Sequence, residues 1–175
     1  GTRTIAGTYS VTGTTTLSSG TNTFSSSGTI GMDTLTVSGG TNTFSSSSLS
    51  ATGTFTLSGA GTISTSGTDL SISAVDFDLT STAISAGAGK VTITQSAGGT
   101  IGLGATAGAM TISDTELDLI SATNVQIGDG TVGSITVDGI SNTSVTGTLT
   151  LITGGTLGFN TTASSITNAL TFVAG

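Results

Sequence analysis

The chain has 175 residues and a formal net charge of −7, with 2 Lys+Arg against 9 Asp+Glu. Two cations cannot neutralise a row of phosphates, which excludes nucleic acid and anionic membrane surfaces as partners. Charged residues make up 6% and hydrophobic ones 34%, the reverse of the balance that keeps a chain disordered, and there is no cysteine for a disulfide or a thiolate metal site.

No apolar run reaches the length of about 18 residues that reads as a membrane-spanning helix. One domain is expected for this length. The opening residues, GTRTIAGTYSV, lack the charged start and apolar stretch of a signal peptide. The expectation is that a signal has been removed or that the chain is a piece of something longer.

Residues 1–19 read as a divergent first coil of a repeat. Thr2, Thr4 and Ile5 resemble the start of the next two units, and Thr14, Thr15, Thr16 and Leu17 resemble their ends. The repeat is plain over Gly20–Gly59. Gly20, Thr21, Asn22, Thr23 and Phe24 recur as Gly40, Thr41, Asn42, Thr43 and Phe44, and Thr34-Leu35-Thr36-Val37 recurs as Thr54-Phe55-Thr56-Leu57. The offset is 20 both times, and a fixed period of this size means stacked units of about 20 residues per coil.

Within each unit apolar residues alternate with threonines, so Leu35 and Val37 face one way and Thr34 and Thr36 the other. Strands this short bury nothing alone, but stacked in register they close a continuous core. The fold class is therefore all-β: a single-stranded parallel β-solenoid of eight to nine coils. By its coil length it is expected to be three-sided, and by crossover chirality right-handed. At the strand spacing it would be roughly 40 Å long. Three inward columns are predicted: Ile5, Phe24 and Phe44; Thr15, Leu35 and Phe55; and Leu17, Val37 and Leu57. Asn22 and Asn42 should stack as an amide ladder.

After Gly61 the register loosens, although alternation persists in pairs such as Leu70/Ile72, Phe77/Leu79, Val91/Ile93, Ile135/Val137 and Leu149/Leu151. Thr115–Ala122 (TELDLISA) reads as strand because strands flank it and no helix cap is evident. Ser85–Gly89 and Gly102–Gly108 read as corners, and nothing marks a domain boundary. Proline is absent, as suits a chain whose N–H groups nearly all join ladders. Neither end shows an obvious cap, so end-to-end self-association, or membership of a longer array, is expected.

The repeats at 21–59, with TLTVSGG and TFTLSGAG, resemble the β-helical passenger domains of bacterial autotransporters. The run 91–141 is similar to the repeat arrays of filamentous-haemagglutinin-like exoproteins. The resemblance covers most of the chain. It implies a right-handed β-helix, export to the cell surface or beyond, and adhesive or shaft roles. The secretion domain of the exoprotein family is not visible in these residues.

Candidate chemistry is sparse. Asp76/Asp78 and Asp114/Glu116/Asp118 lie on alternating positions, each set outward, with Phe77 and Leu117 inward. They could serve a polysaccharide-active enzyme, but there is no histidine, and the cations are Arg3 and Lys90 alone. All five carboxylates are calcium candidates, since calcium takes oxygen ligands. The plainer reading is an acidic edge that keeps a neutral surface soluble. No EF-hand or calcium nonapeptide pattern occurs, so no metal and no cofactor is expected. Asp129 fits a turn, and Lys90 could pair with Asp69 one coil earlier. Asn142-Thr143-Ser144 and Asn160-Thr161-Thr162 match the glycosylation sequon.

Outward threonines are the sharper pattern. Thr14/Thr16, Thr34/Thr36 and Thr54/Thr56 repeat on three coils, and Thr92/Thr94, Thr111/Ser113 and Thr148/Thr150 read as their continuation. Such an array resembles the faces of ice-binding solenoids, although threonine is also simply well suited to exposed strands. The reading favoured is a non-enzymatic structural or adhesive rod, secreted, meeting glycans or a host or solid surface. Ice binding comes second.

Overall fold

The computed structural model describes every residue except 26–28, 46, 47, 60, 61 and 143. It is a parallel β-solenoid of about 8 turns, each of about 21 residues. The first coil holds β1 (Thr2–Ile5) and β2 (Tyr9–Leu17), and the second β3 (Thr21–Phe24) and β4 (Thr29–Val37). The third holds β5 (Thr41–Phe44), β6 (Ser48–Ala51) and β7 (Thr54–Leu57), and the fourth β8 (Thr62–Ser64), β9 (Leu70–Ala74) and β10 (Asp76–Leu79). The fifth is long: β11 (Ile84–Gln95), β12 (Ile101–Gly104), β13 (Met110–Ile112) and a one-turn helix α1 (Asp114–Asp118). Then come β14 (Ile120–Ile127) and β15 (Ser134–Asp138), followed by β16 (Ser141–Asn142), β17 (Val145–Thr153) and β18 (Thr156–Phe159), and last β19 (Ser165–Ile166) and β20 (Ala169–Ala174).

Strand pairing gives the coil three faces. The first stacks β1, β3, β5 and β8, then the start of β11 and of β14. The second stacks the start of β2 and of β4, then β6, β9, the end of β11, β14, β17 and β20. The third stacks the ends of β2 and β4, then β7 and β10. It resumes as a separate four-stranded sheet in the order β13-β12-β15-β18. No described helix is long and apolar enough to cross a membrane.

The three expected columns are present. Ile5 faces Phe24 and Phe24 faces Phe44; Thr15 faces Leu35 and Leu35 faces Phe55; Leu17 faces Val37 and Val37 faces Leu57. Phe24 and Phe44 stack with ring centroids 4.6 Å apart and planes 2° apart, and Phe55 and Phe77 continue the habit at 5.4 Å. Each such pair adds about 0.5–1.5 kcal/mol beyond the area it buries. A longer column on the second face runs through Ile30, Leu49, Ile72, Ile93, Ile127 and Leu151, all buried. Alternation of apolar and hydroxylated residues thus becomes an interior of branched and aromatic side chains under a hydroxylated skin.

Asn22 and Asn42 are buried and form the expected amide ladder, Asn22 Nδ2 donating to Asn42 Oδ1 at 2.7 Å. Asn42 Nδ2 donates onward to the carbonyls of Gly39 and Thr62, 3.3 Å each. At the other end Arg3, which faces Asn22 in the ladder, donates from its guanidinium to Asn22 Oδ1 at 2.9 Å and to the Ser19 carbonyl at 3.1 Å. Every buried amide therefore finds partners, without which each would cost about 1–3 kcal/mol. Gly40 turns the corner ahead of this row at φ +83, where a Cβ would also run into the Gly20 carbonyl.

Two local readings are corrected. TELDLISA is not a strand throughout. Residues Asp114–Asp118 form α1, and only from Ile120 does β14 begin. Ser113 caps the helix, its Oγ accepting from the Glu116 N–H at 3.3 Å while Glu116 Oε2 accepts from the Ser113 N–H at 2.8 Å. This reciprocal pair is a capping box, written in the sequence as Ser113-x-x-Glu116. Ser85–Gly89 is a corner, as expected, although no strand ends there. It lies inside β11, where the register shifts twice and Gly87 takes φ +54, so the strand bends across a corner without ending. Second, Gly102 belongs to β12, and the turn starts after Gly104.

Candidate functional site

Two surfaces carry the side chains singled out above: the hydroxylated faces and the acidic cleft beside α1. Period-two alternation fixes which residues point out, and coil pairing fixes what stands next to them. On the third face Thr14 faces Thr34, Thr16 faces Thr36, and Thr36 faces Thr56. The array then stops, because Thr54 faces Asp76 and Thr56 faces Asp78. Thr111 and Ser113 line the cleft beside β10 instead of extending the ladder. Thr92/Thr94 and Thr148/Thr150 do not continue the array. They stand on the second face, where Thr92 faces Ser71 and Thr150 faces Gln126.

The first face carries a row that sequence reading did not single out. Thr2, Thr21, Thr41 and Thr62 face one another in turn, as do Thr4, Thr23, Thr43 and Ser64. The signal was available, since Thr21-x-Thr23 recurs with the same offset as Thr34-x-Thr36. Arg3 was likewise not recognised as the member that meets the asparagine ladder.

The carboxylates are arranged by β10, β13 and α1. On β10, Phe77 is buried while Asp76 and Asp78 face outward, as expected. Asp76 Oδ1 accepts from the N–H of Phe77 at 2.9 Å and of Thr111 at 3.0 Å. Glu116 Oε1 accepts from the Leu79 N–H at 2.8 Å, and its Oε2 takes the Ser113 N–H and hydroxyl, both at 2.8 Å. Asp114 turns to β16, accepting from the Ser141 N–H at 2.6 Å and from its hydroxyl at 2.8 Å. The Asp118 carbonyl accepts from the Ser144 hydroxyl at 2.7 Å. The Asp78 carboxylate has no hydrogen-bond partner among the described residues.

A cleft of about 450 Å³ lies between β10 and α1, lined by Thr54, Asp76, Asp78, Thr80, Thr111 and Glu116 among others. Asp114, Glu116 and Asp118 do not form one outward row, because α1 fans them round a turn. Among the described residues no three Asp or Glu converge where they could hold a metal ion. The cleft is thus a groove whose acidic groups mostly satisfy backbone donors.

Asp129 sits in a turn, as expected, its Oδ1 accepting from the N–H and hydroxyl of Thr131 at 2.8 and 2.6 Å. The Lys90–Asp69 ion pair does not form. Asp69 Oδ1 accepts the Lys90 backbone N–H at 2.8 Å, and the Lys90 ammonium reaches Gln126 Oε1 at 3.4 Å. The sequon at Asn142 includes residue 143, outside the described residues. Asn160, of the other sequon, is exposed just after β18. No protein-family model matches the chain, and neither the curated proteins nor the solved structures compared with it give a match.

Proposed function

We propose that this chain is a non-catalytic rod segment of a secreted, cell-surface or extracellular filament protein, with structural or adhesive work. The observation that carries the reading is the use made of its carboxylates. Asp76, Asp114 and Glu116 accept backbone N–H groups, whereas a general acid or base must be free to meet a substrate. What the molecule offers along its first two faces is a set of mostly uncharged hydroxylated strands on a core stacked coil upon coil. Such faces suit many shallow polar contacts with glycans or a solid surface, and the likeness of the repeats to exported adhesin arrays points the same way.

End-to-end association belongs to this reading. In the last coils Phe159 and Phe172, which continue inward columns, are 51% and 49% exposed and meet edge to face at 5.5 Å. A further coil or a second copy would cover them. Electron microscopy of the purified chain over a range of concentrations tests this. Rods that lengthen in steps of roughly 40 Å are expected from the coil spacing. Short particles of one length at every concentration would overturn the association.

A second reading, contact with ice, is favoured by the in-register stacking of Thr14, Thr34, Thr16, Thr36 and Thr56 on one face. Thermal hysteresis that is lost on replacing Thr34 and Thr54 would support it. Absence of any hysteresis would discard it.

A further inference from the structure

On the first two faces, the middle of the rod is crossed by backbone ladders. There β11 pairs back to β8 and β9 and forward to β14. On the third face the ladder through β2, β4, β7 and β10 ends at β10, and the next sheet starts at β13. Two side chains cross the gap. Asp76 ties the Thr111 N–H to β10, and Glu116 ties the Leu79 N–H to the cap of α1.

Beneath the gap Phe77, Leu79, Met110 and Ile112 are buried, so the core is continuous there. Above it the cleft admits water, which competes for those N–H groups. The coil that follows the seam is also longer. Ile72 faces Ile93 21 residues on, whereas Ile93 faces Ile127 34 residues on.

We propose that this seam is a hinge. The third face opens between β10 and β13 about the unbroken ladders of β11, with Asp76 and Glu116 as its latch. Local opening is easiest where backbone hydrogen bonds are few and water-exposed. A carboxylate on a rotatable side chain holds an N–H less rigidly than a carbonyl fixed in a neighbouring strand. The hinge does not depend on the role proposed above.

Hydrogen exchange on the whole chain tests it. The amides of Leu79, Thr111 and Ser113 should exchange at least about tenfold faster than those of Leu57 and Val137, which sit in intact ladders on the same face. Glu116→Ala should speed exchange at Leu79 and Ser113 by a further tenfold or so, the order expected for losing a hydrogen bond to a charged group. Asp76→Ala should do the same at Phe77 and Thr111, and amides within 84–95 and 120–127 should keep their rates in both variants. Seam amides as slow as Leu57 in the unmodified chain would overturn the hinge. So would either variant speeding exchange evenly along the rod. Should Glu116→Ala fail to fold, the unmodified chain and Asp76→Ala decide the matter.

Discussion

At the scale of single residues, Asn42 has the most at stake. Its side-chain nitrogen donates to carbonyls of its own coil and the next, and its oxygen accepts from Asn22. Asn42→Ala would leave one Asn22 N–H without its acceptor and those carbonyls short of a donor inside the core. A loss of about 2–4 kcal/mol follows, which for a chain of this size lowers the melting temperature by about 4–16 °C. Thr43→Ala, one position along and facing out, should change stability by no more than about 0.5 kcal/mol. Calorimetry of the two variants checks the contrast, and equal effects would mean that the amide row is not what holds these coils. This row was legible beforehand, because Asn22 and Asn42 share a phase with the buried Phe24 and Phe44. The same alignment, Ile5 over Phe24, puts Arg3 over Asn22, but its charge hides it among inward candidates until the register of β1 on β3 shows it on that line.

At the scale of elements, legibility followed the period. Where coils keep a spacing near 20, as from Leu17 to Val37 to Leu57, each inward residue could be matched to its neighbour. The 34-residue coil between Ile93 and Ile127 broke that matching. Alternation separates inward from outward but cannot say which of three faces a strand lies on. That is why Thr92/Thr94 and Thr148/Thr150 were placed beside Thr34/Thr36. The helix α1 was missed for a related reason: Leu117/Leu119 and the acids around them alternate like a strand. What decides the matter is local, since Ser113 and Glu116 satisfy the donors of the first turn. Ser113→Ala removes one half of that exchange and should cost about 1 kcal/mol. Thermal melts should show the loss, and an unchanged midpoint would mean that packing of Leu117 alone holds the turn.

At the scale of the whole molecule, the dispersal of the carboxylates governs how the rod should respond to ions. Asp76, Asp114 and Glu116 point to different backbone segments. Saturation by millimolar calcium or its removal by a chelator should therefore leave the melting temperature within about 1 °C, because binding linkage needs a site that the folded state offers. A rise of several degrees would show that these side chains regroup around an ion. The asparagine row has one more consequence, for how such chains change over generations. Each amide hands a proton donor forward and offers an oxygen backward, so one link is interchangeable with the next. Duplicating or deleting a stretch such as 21–40 leaves the row chemically complete, while a loss of half that stretch would bring Thr52 and Thr54 to the places of Asn42 and Phe44. Growth and shortening of this kind of gene should therefore proceed in whole turns, with length free to drift while phase is held.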